Sequence, residues 1–458
     1  MRRAIGLFVL LLLGSCESAK RLAVPRDDRD ASEPAPDSGA EDATVTADAG
    51  AKTDAAIGDI TPYPGPAMLP PMPSIVSIDT GAAKCAVLSD GALRCWGSLT
   101  PYPEREAAKT NLPFRLGKVA IGGPVRAVSV GSTHACALMV NGEVRCWGDP
   151  MRNGSLGYGD TRVIGDDEYP SEAGAVKLTE PAKQVAATGL AHTCALLESG
   201  KVACWGKLYE DVSALGDDEY PLEEAVIRDL PRDEPVKSIV TGDAHTCALY
   251  ESGAVSCWGQ PLPSGYVVEK NLWPPTAPTL PIGALVKQVA AGANHTCVVL
   301  VDGRLRCWGL NAAGQLGYGT TRNMGFDDLE HPETQPGDVD VGGVVQQIAL
   351  RGDHTCALLD DGRVRCWGAK GSELGIPEAS TRNIGDMQTP ATFGRSLDLG
   401  GKAKFLAPAC AILQDGTLRC WGPEAGYKLD YMMQSVVGDD ETPASMGPVQ
   451  LFYQYKDN

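Results

Sequence analysis

The sequence predicts an all-β fold: a seven-bladed β-propeller with four-stranded blades and one disulfide-stapled hairpin per blade. Two observations carry that expectation. A unit of the form His354-Thr-Cys-Ala-Leu-Leu-Asp-Asp-Gly-Arg-Val-Arg-Cys-Trp-Gly368 recurs seven times. The first cysteines of successive units stand 51, 58, 53, 50, 59 and 54 residues apart, too long for a solenoid of single hairpins and right for four short strands.

Within a unit, Cys356, Leu358, Val364 and Cys366 fall on one face of two alternating runs joined at Asp360-Asp361-Gly362, the pattern of a hairpin. A three-residue loop ending in glycine suits a type I turn followed by a left-handed residue. That register sets Cys356 opposite Cys366 and Leu358 opposite Val364, and directly opposed cysteines approach disulfide distance. The pairs are Cys85-Cys95, Cys136-Cys146, Cys194-Cys204, Cys247-Cys257, Cys297-Cys307, Cys356-Cys366 and Cys410-Cys420. A structural metal site needs four converging ligands, whereas each hairpin offers two thiols and no C-x-x-C spacing occurs.

In the sixth unit the four expected strands are Val344 to Leu350, His354 to Leu359, Arg363 to Gly368, and the stretch around Phe393 to Leu399. The closing segment Gly447-Pro448-Val449-Gln450-Leu451 supplies a last strand. The sequence leaves open whether it completes the seventh blade or the first.

Three divisions of the chain follow. Met1-Arg2-Arg3, an apolar run from Ala4 to Leu13 and the ending Leu13-Gly14-Ser15-Cys16 read as an export signal over 1–16, since the run is too short to span a bilayer. Its ending resembles the lipobox of bacterial lipoproteins, which implies lipidation at Cys16. Residues 17–73 are rich in Ala, Asp and Pro without apolar periodicity, a composition expected to stay an unfolded tether. Residues 74–458 hold the propeller. Export also accounts for the fifteen cysteines, fourteen in pairs plus Cys16, because bridges persist in an oxidising compartment. The expected location is the cell envelope, at the outer membrane or cell surface of a bacterium.

Gly-x-x-His-x-Cys-Ala-Leu, Asp-Gly-x-Val-x-Cys-Trp-Gly and Asn311-Ala-Ala-Gly-Gln-Leu-Gly-Tyr-Gly319 resemble the repeat of the regulator of chromosome condensation family, most of all its exported bacterial members. The resemblance implies a propeller used as a binding platform. It weakens where Ala83 and Pro408 replace histidine. The eukaryotic members exchange guanine nucleotide on a small nuclear GTPase and bind chromatin, and none of their exchange residues can be matched to positions here. A net charge of −18 repels phosphate backbones and argues against nucleic acid.

Several residues invite a site reading. His134, His192, His245, His295 and His354 each stand two residues before a cysteine; a metal-binding ring is conceivable, but a side chain repeated in every unit fits a hydrogen bond to a neighbouring strand better. The seven Trp-Gly tryptophans are expected between blades. Trp273, in Asn271-Leu-Trp-Pro-Pro275, has no such duty and is a candidate partner-binding residue, with local packing the equal alternative. The acidic turns carrying Asp166-Asp167, Asp217-Asp218 and Asp439-Asp440 are weak calcium candidates. Against that, the aspartates can bond nearby amides while the following proline ends the turn. No cofactor is otherwise expected.

The expected function is a non-catalytic, membrane-anchored monomeric platform for a protein or surface polysaccharide. Its binding residues would lie in the loops near 149–174, 207–224, 260–281, 310–336, 369–390 and 423–446. An extracellular glycosidase-like hydrolase or a purely structural envelope protein is the alternative. No nucleophile elbow, zinc-protease helix or phosphate loop marks an enzyme.

Overall fold

The computed structural model describes residues 72–452 except 100–116, 152, 188, 190–191, 208–225, 228–229, 231–233, 244, 260–278, 326–336 and 424–435. Cys16, the tether through residue 71, Trp273, Asp217 and Asp218 lie outside the described residues. No helix among the described residues is long and apolar enough to cross a membrane.

Seven sheets each hold one cysteine hairpin, and the three strands of each run antiparallel in chain order. The inner strands are Ile75–Thr80, Val125–Val130, Ala182–Ala186, Val236–Thr241, Val286–Ala291, Val345–Arg351 and Ala403–Ala407. Each packs against the inner strand of the next sheet, and Ile75–Thr80 meets Ala403–Ala407. The ring is therefore closed. The Ala409 N–H donates to the Thr80 hydroxyl (3.1 Å) across that closure.

Each hairpin has the register its alternation requires. Cys356 faces Cys366 and Leu358 faces Val364. All seven cysteine pairs are bonded within their own hairpins, with Cα atoms 4.0 to 4.1 Å apart. The turn glycine is left-handed, with φ of 86° at Gly362, where the Gly362 N–H donates to the Leu359 carbonyl (3.0 Å). A side chain there would be strained.

The expected four-stranded blade is corrected to three strands. Where a fourth strand was expected around Phe393 to Leu399, Pro390–Phe393 forms a helical turn, and only the Leu397 N–H bonds the outer strand, at the Val364 carbonyl (2.8 Å). The same single bond recurs from Val119, Val176, Leu280, Val339 and Val449. A proline-initiated turn and a glycine cap leave too few extended residues to continue a ladder. Among the described residues one blade has a regular fourth strand, Val226–Ile227 beside Val202–Gly206. Since Val449 bonds Leu418 of the seventh hairpin, the C-terminal segment completes the seventh blade. An additional two-stranded pair joins Gly422–Pro423 to Val436–Val437.

Neighbouring blades are fastened at several levels. At the hairpin-turn end, the Ala182 N–H donates to the Gly142 carbonyl (2.9 Å), and Val286, Val345 and Ala403 repeat this bond to Gly253, Gly303 and Gly362. Midway, a bulge in the inner strand aims a glutamine at the next blade: Gln347 bonds both the N–H and the carbonyl of Leu406. Gln184 and Gln288 do the same to Ile239 and Ile348. The seven Trp-Gly tryptophans lie between blades, fully buried.

Candidate functional site

The long connections leave from the ends of the outer strands, at the end of the ring opposite the hairpin turns. Backbone bonds tie each exit to the connection between inner and middle strands: Asp149 N–H to Thr133, Leu310 to Asn294 and Ala369 to Asp353. The described bases of these loops thus lie at the mouth of the central channel. Their bases are held down by the Trp-Gly glycine, which bridges Ile164 at Gly148, Met324 at Gly309 and Ile384 at Gly368. Their middles rest on the next blade, because the indole N–H of Trp205, Trp367 and Trp421 donates to the carbonyls of Ser155, Gln315 and Glu373. A rigid scaffold carrying irregular loops at one end is a binding geometry.

The histidines are not gathered as metal ligands. Four of the five, His134, His192, His245 and His295, reach the adjacent blade, where the partner is a threonine hydroxyl. His134 Nε2 lies 2.8 Å from Thr193 Oγ1, His192 2.9 Å from Thr246, His245 2.9 Å from Thr296 and His295 2.8 Å from Thr355. Thr193 and Thr355 pass the bond on to the carbonyls of Ser155 and Gln315. The sequence held a signal for this pairing: threonine precedes the cysteine in four of the five units that follow a histidine unit, Ala409 being the exception, and in neither of the other two, which carry Lys84 and Ala135. Thr246→Val should leave His192 without its partner and cost about 1–3 kcal/mol, measured by urea unfolding at pH 7.5. An unchanged midpoint would remove the bond from the account.

That chain of bonds stops at the sixth unit. His354 faces Ala409, where earlier units carry threonine, and its Nε2 turns to the Ala369 carbonyl (3.1 Å). There the mouth of the channel opens into a cavity of about 300 Å³, lined by Arg351, His354, Glu373, Asp243, Pro408 and Thr80, among others. Backbone glycines form its wall. A Cβ at Gly131 would stand 2.2 Å from the Ala187 carbonyl oxygen and one at Gly189 2.2 Å from that of Gly242, so neighbouring chains approach too closely for any other residue.

The acidic turns do more than turn. In both described copies the carboxylates converge, Asp166, Asp167 and Glu168 in one and Asp439, Asp440 and Glu441 in the other, with ligand atoms within 4.8 Å of one another. Asp166 and Asp439 accept from the next amide, at 3.0 and 3.1 Å. Partial burial and the adjoining aspartates push Glu168 up to about 6 and Glu441 up to about 7. The proline does not end the turn. Pro170 instead opens the helical turn Pro170–Ala173, where fixed φ and a missing N–H are tolerated.

Comparisons with known proteins agree with this architecture. Family models described as "Regulator of chromosome condensation (RCC1) repeat" match residues 125–154, 182–207, 236–261, 286–315 and 345–372 in one form and 302–358 in another. The chain is 27% identical over 342 residues to "RCC1 domain-containing protein RUG3, mitochondrial" of Arabidopsis thaliana, covering 72% of this chain and 70% of that one. It is 32% identical over 135 residues to the human "Regulator of chromosome condensation", covering 30% and 31%. Among solved structures, yeast RCC1 (Prp20), crystallised bound to Kap60, superposes with a TM-score of 0.57 at 22% identity, covering 78% of this chain and 83% of that chain. A second structure of Prp20p, from Saccharomyces cerevisiae, described together with its binding properties to Gsp1p and histones, gives 0.52 at 22% identity, covering 71% and 77%. At that identity the likeness speaks for the fold alone.

Proposed function

Because the chain is built from regulator of chromosome condensation repeats, we propose that it is an exported, lipid-anchored, seven-bladed platform that binds a partner without catalysis. The partner is a protein or a surface polysaccharide, and the binding face is the loop end of the ring. The observation that carries this reading is the division of labour between the two ends. Hairpin turns are short and bonded blade to blade, while the long, non-repeating connections leave from the opposite end of the ring. The solved relatives support a protein partner, since Prp20 is reported with Kap60, Gsp1p and histones. Their partners do not carry over to this chain.

The anchor is Cys16 and the location the envelope, at the outer membrane or cell surface; residues 17–71 serve as a spacer and the platform acts as a monomer. Nucleic acid is a poor partner for a chain of net charge −18. The platform uses no cofactor, so millimolar calcium should leave its melting temperature unchanged; a rise by mass action would assign the Asp166 and Asp439 turns to calcium.

A pull-down from envelope and culture fractions tests the platform directly. The oxidised protein is compared with a version whose residues 260–278 are replaced by a Gly-Ser linker, which keeps Thr279 bridged to Ser256. A partner captured by the first and lost by the second is expected and places Trp273 near the contact. Capture by neither, in any fraction, would contradict the reading, and fractionation of the intact protein into cytosol would remove the export step.

A further inference from the structure

We propose that the channel mouth is a binding site for a small zwitterion carrying one carboxylate and one amine, the chemical class of the free α-amino acids. Three ionisable side chains facing the cavity, Arg351, Glu373 and Asp243, make no side-chain hydrogen bond and no ion pair within 4 Å with any described residue. Charged groups brought together in an enclosed space and left unpaired are costly to a fold. Repetition does not require them. Arg351 stands immediately before the channel glycine, where other units carry Thr80, Val130, Thr241 and Ala291, and Glu373 stands where Ser155 and Gln315 stand. Arg351 and Glu373 depart from the small or neutral residues at those positions, and Asp243 follows its channel glycine as Asp353 does.

The remaining acids near the channel are already occupied. Asp79 accepts from the N–H groups of Thr80 (2.9 Å) and Val130 (2.8 Å). Asp353 accepts from Gln315 Nε2 (3.2 Å). What is left is one guanidinium and two carboxylates. A plain anion would meet Arg351 but face Asp243 and Glu373, and a plain cation would meet the carboxylates but face the arginine. A zwitterion satisfies both. A guanidinium fork suits a carboxylate through paired N–H donors, and an ammonium supplies three donors for the acids. The cavity of about 300 Å³ has room for roughly ten waters at about 30 Å³ each, which matches the non-hydrogen atoms of an amino acid. Burial holds Arg351 below its usual range and pushes Asp243 up, so both charges gain from a bound counter-charge.

The site also explains why the histidine–threonine chain stops where it does. With Ala409 in place of threonine and Pro408 in place of histidine, the seam between the sixth, seventh and first blades is cleared of repeat side chains, and His354 and Glu373 border the space.

Calorimetry on the full, oxidised chain tests the proposal with the twenty standard α-amino acids, acetate and ethylamine as probes. At least one amino acid should bind with a stoichiometry of one, and acetate and ethylamine at least about tenfold more weakly. Arg351→Ala and Asp243→Asn should each weaken binding by about tenfold or more with little change in melting temperature, since neither side chain makes a hydrogen bond or close ion pair with a described residue and Arg351 meets Glu373 and Asp79 only through space. The proposal is overturned if no amino acid binds at millimolar concentration, if acetate or ethylamine binds as tightly, or if either variant keeps full affinity. The platform reading is independent of this result, because replacing residues 260–278 leaves all three charged side chains in place.

Discussion

Acidification from pH 6.5 to pH 4 should unfold this protein steeply, with stability falling by about 4 kcal/mol per pH unit in the middle of that range. The cause is four imidazoles sealed between blades. Burial holds His134 and His245 down at about 4 and His192 and His295 at about 3, whereas an unfolded histidine titrates near 6.5. The folded state therefore binds fewer protons than the unfolded one between these values. Stability is fully present above the unfolded pKa and is lost as pH falls toward the folded pKa.

Each histidine contributes about 1.4 kcal/mol per pH unit. Asp79, pushed up to about 6 by burial, opposes the trend with one proton, which leaves about three. Glu168 and Glu441 oppose it further, by amounts that solvent screens at their surface turns. His245→Gln keeps a donor for Thr296 and removes one titration, so its slope should be flatter by about 1.4 kcal/mol per pH unit. Urea unfolding at half-unit pH steps measures both. A wild-type stability that stays flat from pH 6.5 to 4 would mean the histidines are solvated or already charged in the fold.

Reduction of the seven bridges should be the second large effect. Each closes a short loop worth about 2–3 kcal/mol in the chain-entropy model, and the seven together exceed the usual net stability of about 5–15 kcal/mol of a domain. With a strong reductant and moderate urea, the oxidised chain should remain folded by near-ultraviolet circular dichroism while the reduced chain does not. Because every bridge lies inside one hairpin, the loss should be graded: replacing Cys356 and Cys366 by serine weakens the fold locally, and full reduction collapses it. A reduced chain as resistant to urea as the oxidised one would show that packing of the tryptophans and the closed ring suffices.

Much of this fold was legible because the repeat overdetermines it. Nine residues between cysteines, a glycine six residues past the first and alternation on both sides admit one hairpin register, and that register is the one found. The fourth strand was misread for a physical reason. Phe393 to Leu399 has the apolar content of a strand, but Pro390 and Gly394 set a helical turn and its cap there, and one backbone bond at Leu397 remains. The histidines were legible as structural groups, whereas their threonine partners showed only in the comparison of one unit with the next. They belong to the next unit, 51 to 60 residues away, and no local pattern reports a contact made by closing a ring.

The channel residues escaped for the same reason. Arg351 ends an inner strand, Glu373 lies in the helical turn Ser372–Leu374 and Asp243 in the connection after another inner strand, and none of the three looks unusual in its local setting. Only the closing of inner strands around an axis sets them on one cavity. The signal that was available was departure from the repeat, an arginine before the channel glycine where small residues are the rule.

The central claim is that seven independent hairpins, each closed on itself, are set in a ring. Proteolytic peptide mapping by mass spectrometry under non-reducing conditions tests it most directly. Seven bridges are expected, Cys85–Cys95 through Cys410–Cys420, each joining cysteines ten residues apart. Any bridge joining cysteines of different units would contradict the hairpin register and the blade order built on it.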